Sequence, residues 1–112
     1  MQQFLELLVT APNEVTFAQT MQVIDDHFDF NPTSFDNGET KNEVGQNNGS
    51  CKIFAFAQMQ GLDEASTLSC FGQFYREDVL PNPNGSDHAN IRNFMLHGWA
   101  GIRFDGVALT AK

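Results

Sequence analysis

The chain has 112 residues, 41% hydrophobic and 18% charged, a globular mix long enough to bury one core. Its 14 acidic and 6 basic residues give a formal net charge of -8, and no two basic residues are adjacent. That excludes the clustered cation surface on which nucleic acids and anionic membranes depend.

The 11 phenylalanines supply a core that needs no disulfide, metal or cofactor to hold it. Cys51 and Cys70 are therefore expected as free thiols of a reduced, cytoplasmic, soluble protein. The start Met1-Gln2-Gln3-Phe4-Leu5-Glu6 lacks a basic leader, so no Sec signal peptide is expected. No apolar run approaches the length of a membrane span.

Residues 1 to 11 predict a short helix with Phe4, Leu5 and Leu8 inward, stopped by Pro12. Thr16-Phe17-Ala18-Gln19 has the form of a capping box, and Phe17, Met21, Ile24 and Phe28 then recur on one helical face. Asp36-Asn37-Gly38-Glu39 marks a hairpin over about 33–43, with Asn37 and Gly38 as its central residues. A polar loop follows, and Ser50 is placed to cap a third helix over about 50–60, closed by Gly61. That helix is apolar nearly all round, which predicts a central position.

Asp63 caps a fourth helix whose inward stripe is Leu68, Phe71, Tyr75 and Val79, ending at Pro81. Ser86 or Asp87 caps a fifth, with Ile91, Phe94 and Met95 inward and Gly98 at its stop. The alternation from Gly101 to Leu109 around Asp105-Gly106 predicts a second hairpin. The expected fold class is α+β in a single domain, 1–112. It has about five helices packed around a central apolar helix, with a small antiparallel β-sheet built from two hairpins.

Four blocks then carry a family resemblance. They are Asn42-Glu43 with Gly45-Gln46-Asn47 and Gly49-Ser50-Cys51-Lys52; Cys70-Phe71-Gly72-Gln73-Phe74-Tyr75-Arg76-Glu77-Asp78-Val79-Leu80; Gly85-Ser86-Asp87-His88-Ala89-Asn90-Ile91-Arg92-Asn93-Phe94-Met95; and His97-Gly98-Trp99-Ala100-Gly101-Ile102 with Phe104-Asp105-Gly106. The chain resembles the HopJ type III effector family along nearly its whole length, from Phe4 to Leu109. The resemblance implies a bacterial protein and a type III secretion route, and it brings no catalytic residues with it.

Two site readings come from the residues themselves. In the first, the chain is a small binding module using the Gly45–Lys52 loop and helix start. Backbone amides beside Gln46, Asn47, Asn48, Gly49, Ser50 and Lys52 would hold a small anion or a partner protein's polar segment. Asp87, Asn90 and Arg92 would join them if the loops over 31–49 and 81–87 meet. In the second, Cys51 is a nucleophile activated by the helix N-terminus, with His88 as base, in a thiol-dependent hydrolase or transferase. The plainer and favoured reading makes Cys51 a small residue that fits a tight first turn. Asp25 and Asp29 share a helical face, too few ligands for a divalent ion, so no metal site is expected. A monomer or weak dimer is expected.

Overall fold

The structure, a computed structural model, describes residues 1–112. Helix α1 (Gln2–Thr10) buries Phe4 and Leu8 and gives way to a 3₁₀ turn, Pro12–Glu14. Helix α2 (Phe17–His27) opens with the expected capping box. Thr16 Oγ1 accepts from the Gln19 N–H at 3.2 Å, and Gln19 Oε1 accepts from the Thr16 N–H at 2.9 Å. Its buried positions are Thr20 and Ile24, while Phe17 and Met21 are only half-buried. The Thr20 hydroxyl explains the rotation, because it donates to the Cys70 carbonyl at 2.8 Å and holds that face inward.

Helix α3 (Asn48–Gln60) buries Cys51 and every residue from Ile53 to Ala57. Phe54 and Phe56 lie two positions apart, about 200° around a helix, so they face opposite sides. Phe54 meets Phe35, Phe71, Phe94 and Trp99 on one side, while Phe56 meets Phe4 and Phe28 on the other. Gly61 ends the helix in the left-handed region, as expected, and the Leu62 N–H closes onto the Ala57 carbonyl at 3.0 Å.

The long fourth helix predicted from the stripe Leu68, Phe71, Tyr75 and Val79 is instead two pieces. Helix α4 (Glu64–Ser69), capped by Asp63, is separated from a π-helical segment, Phe74–Val79. Gly72 makes the break at φ +60, where a Cβ would lie 2.4 Å from the Phe17 nitrogen. The chain bends there to bring Gln73 Oε1 within 3.2 Å of the Phe17 N–H. Helix α5 (Ala89–His97) buries Ile91 and Phe94 and stops at Gly98, whereas Met95 is 46% exposed.

Strands β1 (Phe28–Phe30), β2 (Phe35–Asn37), β3 (Thr40–Asn42), β4 (Ile102–Phe104) and β5 (Leu109–Ala111) form two antiparallel sheets. The hairpin β2–β3 forms where expected. However, Asn37 pairs with Thr40, so the central turn residues are Gly38 and Glu39, and only Gly38 has positive φ. The second hairpin does not form. β4 adds to the other edge of β2, and β5 leaves to pair with β1. Leaving the first sheet lets Ala108 and Leu109 be buried, with β5 against α3, while the Ala108 carbonyl accepts from the Asn31 N–H at 2.7 Å. The fold is α+β. No helix is long and apolar enough to cross a membrane.

Candidate functional site

Helices α3 and α5 begin alike and unusually. Their N-cap residues, Asn47 (φ 52) and His88 (φ 51), are the two non-glycine residues with positive φ. An N-cap ordinarily sits in extended backbone with its side chain over the first turn. Here the left-handed backbone, which costs about 1–2 kcal/mol for such residues, turns each side chain away to another partner. Neither helix has a side-chain cap.

The Asn47 amide donates to Asn42 Oδ1 at 2.7 Å. Asn42, buried on β3, exchanges two amide bonds with Asn90, Nδ2 to Oδ1 at 3.1 Å and Oδ1 from Nδ2 at 3.0 Å. Asn37 on β2 donates to the Asn90 carbonyl at 2.7 Å and to Asn90 Oδ1 at 3.0 Å. Asn37, Asn42 and Asn90 are all buried. Such a network is worth keeping only when nearly complete; Asn37 Oδ1 is the one buried side-chain nitrogen or oxygen left without a hydrogen-bond partner. Through it the hairpin fixes both helix starts.

His88 is held from the other side. Its Nε2 lies 3.0 Å from Asp78 Oδ2 and 3.9 Å from Asp87 Oδ2, and its ring stacks on Phe74 at 5.3 Å. Both Asp78 and Phe74 come from the π-helical segment. The Gly72 break therefore positions the partners of the α5 cap.

The first intrahelical bonds run from the Cys51 N–H to the Asn47 carbonyl and from the Arg92 N–H to the His88 carbonyl. The N–H groups of Asn48, Gly49 and Ser50, and of Ala89, Asn90 and Ile91, consequently have no acceptor within the chain. One cavity of about 340 Å³ is lined by Asn47, Gly49 and Ser50 from the first start and His88, Ala89, Asn90 and Ile91 from the second. Phe17, Phe71 and Phe74 complete its wall. Each helix start carries roughly half a positive charge, so the two together favour an anionic oxygen group there.

The structure thus joins Asn47, Gly49, Ser50, His88 and Asn90, which the sequence singled out from two separate loops. Other candidates are occupied elsewhere. Lys52 pairs with Asp25 at 2.9 Å and lies 5.0 Å from the centre of the Phe30 ring. Arg92 binds Asp87 at 2.6 Å and the Asn82 carbonyl at 2.7 Å, and it holds the Asp87 carboxyl below the usual carboxylate range. Gln46 Oε1 accepts from the Glu43 N–H, and the Asn48 side chain is exposed outside the cavity.

Ser50 does not cap α3; it stands in the first turn, because the helix begins two residues earlier than its sequence suggests. Cys51 is 1% exposed, does not line the cavity, and directs its thiol at the Thr33 carbonyl. Burial pushes that thiol up, the opposite of the shift a nucleophile needs. His88 and Cys51 are not brought into one cavity. Cys70 is also free and buried, and burial pushes it up to about 12. No cluster of side chains suited to a metal ion is present.

Sequence reasoning missed Asn37, Asn42, Phe74 and Asp78. One signal was present for Asn42: asparagine is a poor strand former, so its place in a strand calls for a tertiary reason.

Comparison with known proteins returns the family expected from the motif blocks. The crystal structure of unknown function protein VPA0580 is similar at 56% identity and a TM-score of 0.98, covering 100% of this chain and 93% of that one. Among curated proteins no sequence matches. The model of the family described as HopJ type III effector protein matches residues 1–109, and the chain belongs to that family.

Proposed function

We propose that the chain is a small binding module that holds an anionic oxygen group between the starts of α3 and α5. One observation carries this reading: two uncapped helix N-termini line a single cavity, and five of the lining residues, Gly49, Ser50, Ala89, Asn90 and Ile91, have backbone N–H groups without acceptors. Left-handed N-caps that send their side chains elsewhere are a stored cost, and such strain concentrates at functional sites. Asn47, Gly49 and Ser50 supply one half of the cradle, and His88, Ala89, Asn90 and Ile91 supply the other.

Titrating the isotope-labelled chain with acetate and with inorganic phosphate tests it. The amide signals of Gly49, Ser50, Ala89 and Asn90 shift together and saturate at millimolar anion; the reading fails if they stay still. The variant Ala89→Glu separates binding from stability. A carboxylate in the exposed first turn of α5 stabilises the fold by about 0.5 kcal/mol, yet it abolishes the anion-induced shifts by occupying the site. Export through a type III apparatus is a second proposal, supported only by the family's description, and a secretion assay with and without that apparatus decides it.

A further inference from the structure

The geometry points to Asn84 as a site of spontaneous deamidation, whose products alter the loop that Arg92 clasps at the entrance to α5. Three Asn-Gly pairs stand in the chain, Asn37-Gly38, Asn48-Gly49 and Asn84-Gly85. In such a pair the glycine nitrogen attacks Cγ of the asparagine, the bond from Cγ to Nδ2 breaks, and ammonia leaves with the glycine's amide proton. Water then opens the cyclic imide, at one carbonyl to aspartate and at the other to isoaspartate. Glycine permits the closure because it has no Cβ to obstruct it. Closure also requires the asparagine to rotate out of helix or strand geometry, so the fold decides which pair reacts.

Asn37 is fully buried, and its amide donates to the Asn90 carbonyl and to Asn90 Oδ1 at 2.7 and 3.0 Å. The Gly38 N–H donates to the Gly101 carbonyl at 2.9 Å. Rotating Asn48 would pull Asn47 off the Cys51 N–H at 3.0 Å and off Asn42 Oδ1 at 2.7 Å. Asn84 and Gly85, by contrast, are exposed and lie outside every helix and strand. A single backbone hydrogen bond holds the pair, from the Gly85 N–H to the Asn82 carbonyl at 3.0 Å.

Arg92 grips this loop from both ends. Its Nη1 donates to the Asn82 carbonyl at 2.7 Å and its Nη2 to Asp87 Oδ1 at 2.6 Å. Gly85 packs on the same guanidinium, since a Cβ there would lie 2.6 Å from Nη2. Either product sets a new negative charge one residue from that contact, and isoaspartate also lengthens the backbone of a loop fixed at both ends.

The experiment ages native and urea-unfolded protein in mildly alkaline heavy-oxygen water, then digests both with trypsin in ordinary water and weighs the peptides. Cleavage at Lys41, Lys52 and Arg76 puts the three pairs on separate peptides. Unfolded, the three convert at similar rates. In the native protein Asn84 converts about fivefold faster than Asn48 or more, the factor that one additional broken hydrogen bond carries. Asn37 converts slowest. Native Asn48 or Asn37 reacting as fast as Asn84, or Asn84 reacting only when the chain is unfolded, would overturn the inference. In isotope-labelled protein the Arg92 Nε–H signal moves as Asn84 converts, and it stays in place in Asn84→Gln aged alongside. An Arg92 signal unmoved by conversion would overturn the link to the entrance of α5.

Discussion

The first turn of α2 and the first turns of α3 and α5 meet the same requirement in opposite ways. At α2, Thr16 and Gln19 bond reciprocally within four consecutive residues, and Gln73 Oε1 accepts from the Phe17 N–H. At α4, Asp63 Oδ1 accepts from the Ser66 N–H at 2.8 Å. At α3 and α5 the residues in the capping position are committed to partners outside their own helices, Asn42 and Asp78, and the donors stay open. A locally closed start is a stability device. A start held open by tertiary contacts costs stability and leaves a surface that another molecule can complete.

Removing the support of the open starts has the largest expected effect. Asn90→Ala deprives Asn42 of both amide bonds and Asn37 of one, in a buried site. It lowers unfolding free energy by about 3 kcal/mol, since the three lost buried hydrogen bonds are each worth roughly 1 kcal/mol. Urea denaturation followed by circular dichroism measures it, and a loss as small as that of an exposed cap would mean the network does not hold the two starts.

Thr16→Ala should cost less, about 1 kcal/mol as for other N-caps, and should leave anion-induced amide shifts unchanged because α2's first turn is already closed. A loss of those shifts would show that the closed and open starts are not independent.

Acid gives the smallest effect and the sharpest contrast. The Ser66 N–H holds the Asp63 carboxyl below its ordinary value of 3.8. Its contribution is therefore full above that value and is lost as pH falls through the lower folded value. Asp63→Asn flattens the fall in stability below pH 4 or so, while Asp87, held down by Arg92, keeps its share in both proteins. The N-cap residues of α3 and α5, Asn47 and His88, carry no carboxylate. An unchanged acid limb in Asp63→Asn would break the distinction.

Those differences also explain what could be read in the residues beforehand. The Thr16 box, the Gly61 and Gly98 stops, and the β2–β3 hairpin were all legible, because each depends on residues within a few positions of one another. The starts of α3 and α5 were misplaced onto Ser50 and onto Ser86 or Asp87, because good capping residues stand there and local preference favours them. What overrode that preference was the asparagine network, whose members come from residues 37, 42, 47 and 90. The break at Gly72 was hidden for the same reason. Its cause is the backbone of Phe17, which no reading of residues 63 to 81 could include. Of the candidate site, the two polar loops were legible as separate halves. Their meeting was not, and neither was the aromatic wall.

The amino-acid order by itself determined that the chain has an α+β fold, belongs to the HopJ family and has a phenylalanine-rich core, because apolar periodicity, turn chemistry and long collinear motif blocks are local records. Only the tertiary structure decided that β5 leaves β4 for β1, that Cys51 is shut away, and that two helix starts face one cavity. The reason is energetic. A buried amide, thiol or strand edge takes its partner from whatever the fold brings alongside, and that choice outweighs the roughly 1 kcal/mol preferences that act along the chain.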